Sequence, residues 1–390
     1  MKGMKTLRSG RNRRKGIYVL LLMGLLGLSG CGSPSSASVE MSSQTELVKT
    51  GSMELQYAEN FAVDYYEDGY KMLTTLPDSK RYLLVPEGQP VPRGLDEDVS
   101  ILQEPLQNIY LVASGAMDMF ASLDAVDQIR FSGQKQENWY IQTAKDAMSA
   151  GDMIYAGKYS KPDYELLVSE GCDLAIENRM ITHSPEVVEM LQSFDIPVMI
   201  EYSSYEQHPL GKVEWVKFFG ALTGKEAEAE EAFAEQTEIL EKVESGEKTG
   251  KTIAFFYVTS NGLIQVRQST DYIPKLIELA GGRYIFEDLE DSGSGRSTLN
   301  MQVEDFYAGA KDADILIYNS SIDGGVTTLD ELIGKCNILK DFKALQEGQV
   351  YCTTNDMYQQ SMAIGYLLQD MHTVLTDDDT AKLRYLFLLQ

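Results

Sequence analysis

The sequence predicts an α/β protein of two lobes joined by a long helical segment, and three observations carry that prediction. Short apolar runs alternate with segments of helical period from residue 50 to 200. The same alternation resumes after residue 250, and between the two lies a stretch, 212 to 245, that is helical with almost no strand signal. Strands that alternate with helices form a parallel sheet covered by helices. Roughly 340 residues follow the first 50, more than one hydrophobic core usually supports, so two lobes are the default expectation.

Residues 1 to 15 carry Lys2, Lys5, Arg8, Arg11, Arg13, Arg14 and Lys15 and no acid, and an apolar run follows from Ile17 to Leu28. That run is short of the ~20 residues a spanning helix needs. It ends in Leu28-Ser29-Gly30-Cys31, where small residues precede a cysteine as at a signal-peptide cleavage site. The arrangement resembles a bacterial lipoprotein signal. The resemblance implies that residues 1–30 are removed and that Cys31 carries lipid, leaving the rest extracytoplasmic and anchored to the cell membrane. Residues 31–50, Ser-rich and poor in bulky apolar side chains, read as a flexible tether.

Composition narrows the partners. Seven of the 34 Lys and Arg lie in the leader, so the remaining chain sets 27 against 59 Asp and Glu, a formal −32. A surface so acidic repels nucleic acid and anionic headgroups, which argues against both and leaves the lipid as the membrane contact. Beyond Cys31 the cysteines are Cys172, Cys336 and Cys352, an odd number without CxxC spacing. A disulfide scaffold is therefore not expected.

The N-terminal lobe is expected over residues 51–211. Its strands are read at Phe61–Val63, Arg81–Val85, Ile109–Ala113, Asp173–Ile176 and Pro197–Ile200, its helices at Ala116–Leu123, Tyr140–Ala150, Lys161–Glu170 and Ser184–Phe194. In the linking region, 212–245, Gly224 breaks the helical pattern. After it Ala229, Ala232, Phe233, Gln236, Leu240 and Val243 recur every three or four residues. The C-terminal lobe, 246–390, repeats the alternation from Thr252–Val258 to Gln359–Leu375. Glu165–Glu177 and Glu304–Tyr318 share a pattern of acid, helix, then Asp before an apolar strand.

Catalytic constellations are missing from the sequence. His183, His208 and His372 are the only histidines, and neither an HExxH pair nor a GxSxG elbow occurs. Gly246, Gly250, Lys251 and Thr252 imitate a phosphate loop, but with too few residues between the glycines and before a strand rather than after one. No catalytic residue, no metal site and no resident cofactor are assigned.

A set of motifs in order along the chain resembles a known family. They are Ser184-Pro185-Glu186 leading into Phe194-Asp195-Ile196-Pro197-Val198, then His208-Pro209-Leu210-Gly211, Glu214-Trp215, Gly220-Ala221-Leu222-Thr223-Gly224-Lys225-Glu226, Ile277-Glu278-Leu279-Ala280-Gly281-Gly282 and Ala313-Asp314-Ile315. Together they resemble the helical-backbone, class III solute-binding proteins of bacterial ABC importers that serve ferric siderophores, haem and cobalamin. At Cys172-Asp173 the chain departs from the Pro-Asp usual in that family. The resemblance implies two Rossmann-like lobes joined by a long α-helix with the ligand cleft between them. It further implies capture of an iron complex, a ferric siderophore, and delivery to a permease dimer with its ATPase, without enzymatic activity. Cobalamin or haem is the alternative cargo, and an extracellular enzyme or a sensor module the alternative class.

In that family an acidic residue on each lobe docks on the permease, and Glu165 and Glu304 occupy the matching positions. The implied ligands call for guanidinium groups and rings at strand ends, because an Arg fork pairs with ligand oxygens and an aromatic ring offers a flat face. Position selects Trp139, Arg179 and Tyr202 in the first lobe, and Arg267, Arg296 and Tyr318 in the second.

Overall fold

The computed structural model describes residues 47–289, 297–322, 325–377 and 380–390. Cys31, the leader, most of the tether and Arg296 lie outside the described residues. No helix among the described residues is long and apolar enough to cross a membrane.

The first five strands depart from the expected alternation. β1 (Lys49–Ser52), β2 (Phe61–Tyr66), β3 (Lys71–Thr75), β4 (Lys80–Val85) and β5 (Val99–Gln103) form one sheet in sequential order, antiparallel up to β4, with β5 parallel to β4. The β2–β3 turn passes through Asp68 and Gly69, both at positive φ, the conformation these residues tolerate best. The expected strands at 61–63 and 81–85 exist, but they belong to this meander. Connections of only a few residues suit antiparallel neighbours and are too short for a helical crossover.

The parallel sheet starts later. β6 (Ile109–Leu111), β7 (Ile129–Ser132), β8 (Ile154–Tyr155), β11 (Leu174–Asn178) and β12 (Val198–Glu201) line up in the order β12-β11-β6-β7-β8, every pair parallel, while β9 (Gly157–Lys158) and β10 (Lys161–Pro162) form a small hairpin. The helices of this lobe are α1 (Ala116–Ser122), α2 (Gln142–Ala150), α3 (Tyr164–Ser169) and α4 (Pro185–Ser193). Strand order reverses between β6 and β11, which opens a crevice at their carboxyl ends.

The linking segment is two helices folded back on each other rather than one long helix. α5 (Pro209–Thr223) and α6 (Glu226–Glu244) join at Gly224, whose φ of +71° ends α5 in a left-handed cap. α5 is apolar on nearly every side, and 14 of its 15 residues are buried, as a helix without a polar face must be. α6 carries the expected stripe, with Ala229, Phe233, Gln236, Leu240 and Val243 buried. The two helices come so close that a Cβ on Gly220 would stand 2.6 Å from the Ala229 Cβ.

The second lobe holds a seven-stranded mixed sheet. β13 (Thr252–Val258), β17 (Ile315–Tyr318) and β18 (Val350–Thr353) are its parallel centre. Beyond β13 lie β14 (Ile264–Arg267) and β16 (Thr298–Met301), antiparallel, with β15 (Arg283–Tyr284) beside the start of β13, and β19 (Leu386–Leu388) closes the far edge. Its helices include α7 (Tyr272–Leu279), α8 (Val303–Ala310), α9 (Leu329–Lys335), α10 (Lys343–Gln346) and α11 (Ile364–Thr376).

The pattern shared by the lobes has a structural cause. Asp173 Oδ2 accepts from the N–H groups of Gln107 and Asn108 just ahead of β6, and Asp314 Oδ2 accepts from the Thr252 N–H and hydroxyl at the start of β13. In each lobe an Asp leading one strand fixes the amino end of its parallel neighbour. That explains the aspartate at 173 independently of the Cys172 departure.

One apolar core runs through the meander, α1, α5, α6, α7 and α11, taking in Phe61, Leu111, Phe120, Trp215, Phe218, Phe233, Phe255, Leu276 and Leu368. Phe61, Trp215 and Phe218 meet with ring centroids 5.0–5.3 Å apart, the spacing of tilted and edge-on aromatic pairs. Cys172, Cys336 and Cys352 are buried free thiols.

Candidate functional site

Where the parallel strands of the two lobes end, their loops enclose a cleft of about 340 Å³. The first lobe contributes Ala113–Gly115 after β6, Asn178 at the end of β11 with Arg179 and Met180 after it, and Glu201 at the end of β12 with Ser204 and Tyr205 after it. Across from them stand Gln265 and Arg267 of β14, Tyr272 of α7, Ser297 and Thr298, Ile322, and Tyr358 from the loop before α11, while Lys212 of α5 reaches the cleft from the linking hairpin. A crevice at the carboxyl ends of strands, at the point where strand order reverses, is where open α/β sheets bind ligands.

A larger cavity of about 650 Å³ lies on the second lobe between residues 248–250 and 281–284. It sits at the amino ends of β13 and β15, and four of its charged residues form pairs, Lys275 with Glu278 and Arg283 with Glu287. We place the functional site at the smaller cleft, where both lobes converge.

Two of the sequence-selected residues meet there. Arg179, half-buried, holds its guanidinium carbon 4.6 Å over the Tyr205 ring. Arg267, 8 % exposed, donates from Nη1 to Asp271 Oδ2 at 3.4 Å and from Nη2 to the Tyr358 hydroxyl, which also accepts from Asn319 Nδ2 at 2.6 Å. The backbone N–H of Arg267 donates to the Tyr284 hydroxyl, and that hydroxyl donates to the Arg267 carbonyl.

Three aromatic selections lie elsewhere. Trp139 is fully buried in the core, its Nε1 donating to Ser132 Oγ at 3.0 Å. Tyr202 packs in the core against Tyr205. The ring that lines the cleft is Tyr205, three residues further on. Tyr318 is fully buried against Phe256 and Tyr257. A large ring near a strand end lowers its free energy most by joining the adjoining core, so ring type and strand-end position did not discriminate. Arg296 lies outside the described residues, next to the lining Ser297. Glu165 and Glu304 are exposed in the first turns of α3 and α8.

The sequence reading missed Lys212, Tyr205, Tyr272 and Tyr358. Lys212 carried a usable signal, being one of three charged residues, with Glu214 and Lys217, in a helix segment that is mostly apolar. Its ammonium stands 4.8 Å over the Tyr272 ring. Three carboxyls feel its charge, those of Asp118, Glu201 and Asp271, yet burial outweighs that attraction and pushes each upward, Asp118 to about 6. Met180, Tyr205 and Ile322 leave apolar surface exposed at the cleft.

One side of the cleft is tied across the lobes. Gln359 accepts from the Tyr140 N–H and donates to the Asn138 carbonyl, and Asp118 of α1 accepts from the Met362 N–H at 2.7 Å. No group of three or more His, Cys, Asp or Glu suited to a metal occurs among the described residues.

No family model matches the chain. Among curated proteins it is similar to an uncharacterised lipoprotein of Methanocaldococcus jannaschii, 24% identical over 396 residues that cover 92% of both chains. Among solved structures it is similar to a possible iron-binding, periplasmic solute-binding protein of Staphylococcus epidermidis, with a TM-score of 0.54 and 17% identity, covering 69% of this chain and 98% of that one. It is also similar to the periplasmic molybdate-binding protein of a Haemophilus influenzae ABC transporter, with a TM-score of 0.54 and 12% identity, covering 72% of this chain and 91% of that one. The fold is thus the two-lobed α/β fold of the class III periplasmic binding proteins.

Proposed function

We propose, with that fold as premise, that the chain is the solute-binding component of an ABC importer, that it captures an iron complex of the ferric siderophore class in the cleft, and that it hands the complex to a permease dimer driven by its ATPase. The observation that carries the reading is the cleft itself, where loops of both lobes and the linking helix bring Arg179, Lys212, Arg267 and the rings of Tyr205, Tyr272 and Tyr358 to one place. Cationic forks beside flat rings suit a chelate that presents oxygen atoms and aromatic or apolar surface. The solved structures of similar fold include proteins named for iron and molybdate, which supports binding and transport rather than catalysis. The lipoprotein name of the similar archaeal protein supports anchoring through Cys31.

Thermal-shift measurements on the full chain in detergent, run against ferric siderophores, haem, cobalamin and free metal ions, test the proposal. A saturable rise in melting temperature with a ferric siderophore is the expected result. Stabilisation by cobalamin or haem alone would keep the transport class and replace the cargo, and no response to any of them would remove the reading.

A further inference from the structure

The wall of the cleft presents cationic groups, Lys212 and Arg267, beside the Tyr358 hydroxyl. Lys212 is 3 % exposed, and among the described residues its ammonium has neither an ion pair nor a hydrogen bond, only the face of Tyr272. The side chain is buried along its stem, and its ammonium opens onto the cleft, where its N–H groups are free to meet an acceptor that the described residues do not supply.

Tyr358 is in a related condition. Its oxygen receives two donors, Arg267 Nη2 and Asn319 Nδ2, and its own proton has no acceptor among the described residues. The neighbouring carboxyls are already engaged. Asp271 accepts from the Ile273 N–H and from Arg267, Glu201 Oε1 from the Ser203 N–H at 2.6 Å, and Asp118 Oδ2 from the Met362 N–H. None of the three forms an ion pair with Lys212, so the lysine's charge is offset only at longer range.

We propose that Lys212, Arg267 and Tyr358 form an anion subsite that takes a compact group of several oxygens, such as a carboxylate or phosphate, carried by the captured solute. The inference rests on the reading of the cleft as a solute site and specifies the chemistry of what enters it. The three groups come from the linking hairpin, a strand of the second lobe and the loop before α11, so one small anion satisfies donors that no single element could gather. A multi-oxygen anion supplies the acceptors these donors lack, and charge-assisted bonds of this kind are about twice as strong as neutral ones.

The test titrates the full chain in detergent with sulfate, phosphate and citrate at constant ionic strength. Uncharged ferrichrome and cyanocobalamin run in parallel, and stabilisation and heat are both read. At least one anion is expected to bind saturably, with affinity reduced about tenfold in Lys212→Met and kept within about twofold in Lys212→Arg, because the lost contact is a charged hydrogen bond. Tyr358→Phe, which keeps the ring, is expected to weaken the same anion about fivefold through loss of one donor. It also serves should the lysine variants fail to fold. No saturable response to any anion, or equal binding by the parent, Lys212→Met and Tyr358→Phe, overturns the subsite. Binding of ferrichrome or cyanocobalamin without any anion overturns the subsite and leaves the solute-binding reading standing. Silence in both arms overturns both.

Discussion

Glu177 offers a test of how the first lobe's sheet is built. It lies on β11, immediately before Asn178, Arg179 and Met180, which line the cleft. The residue is fully buried, and neither carboxyl oxygen has a hydrogen-bond partner. Loss of water is the cause that pushes this carboxyl from 4.5 up to about 8. The folded state therefore binds a proton that the unfolded chain has already released. This contribution to stability is fully present below pH 4.5 and is lost as pH rises towards 8. Between pH 5 and 9 the cost is on the order of 4 kcal/mol, taking ~1.4 kcal/mol for each pH unit up to the folded value.

Glu177→Gln keeps the shape and cannot ionise, so its stability omits this term at every pH. Urea unfolding of parent and variant at pH 5, 7 and 9 gives the difference directly. Titrations distant from residue 177 are common to both proteins and cancel in that difference. The variant should gain on the parent by roughly 4 kcal/mol from pH 5 to pH 9, most of it before pH 8. A gap that stays constant within about 1 kcal/mol would show that the carboxyl finds water or a partner, and the reasoning would fail.

Two further outcomes are expected. The buried Glu214 carboxylate accepts from the N–H groups of Gln56, Tyr57 and Ala58, so Glu214→Ala should cost roughly 3 kcal/mol or more. Hydrogen exchange at those three amides should quicken with it, and an unchanged urea midpoint would refute the anchoring role. Reversing Glu165 and Glu304 together to Arg should abolish uptake in cells while the solute affinity of the protein stays the same, since exposed rim charges act on partner recognition. Normal uptake by the double variant would remove them as docking residues.

Much of the architecture was legible because periodicity reports burial. The strands Thr252–Val258 and Ile315–Tyr318 and the stripe on α6 stand where the sequence placed them, since each buries one consistent set of apolar residues. The antiparallel meander was not foreseen. Its strands carry the same apolar signature as parallel ones, and the difference lies in connection length, as between β3 and β4. Nor did Gly224 announce a reversal rather than a kink, because that depends on Ala229 fitting against Gly220.

The cleft was legible in its arginines and illegible in its rings. Arg179 and Arg267 were found from strand-end position because a guanidinium has little reason to enter a core. Trp139, Tyr202 and Tyr318 satisfy the same positional rule and sit in the interior instead. Lys212 escaped notice because the helix that carries it reads as core.

If the cleft takes a solute as proposed, the unbroken core has a consequence for how that solute leaves. The linking helices α5 and α6 pack against α7 and α11 of the second lobe within this one core, so swinging the lobes apart would bare apolar side chains, each worth about 1.5–3 kcal/mol or more when buried. A few such side chains equal the ~5–15 kcal/mol that holds an ordinary domain folded. A binding site built on such a frame is largely preformed, so capture spends little free energy on ordering the protein and residence is correspondingly long. Unloading then falls to the rim, where Asn178–Met180, Ser297–Thr298 and Tyr358 can be displaced by another surface while the spine beneath them stays still.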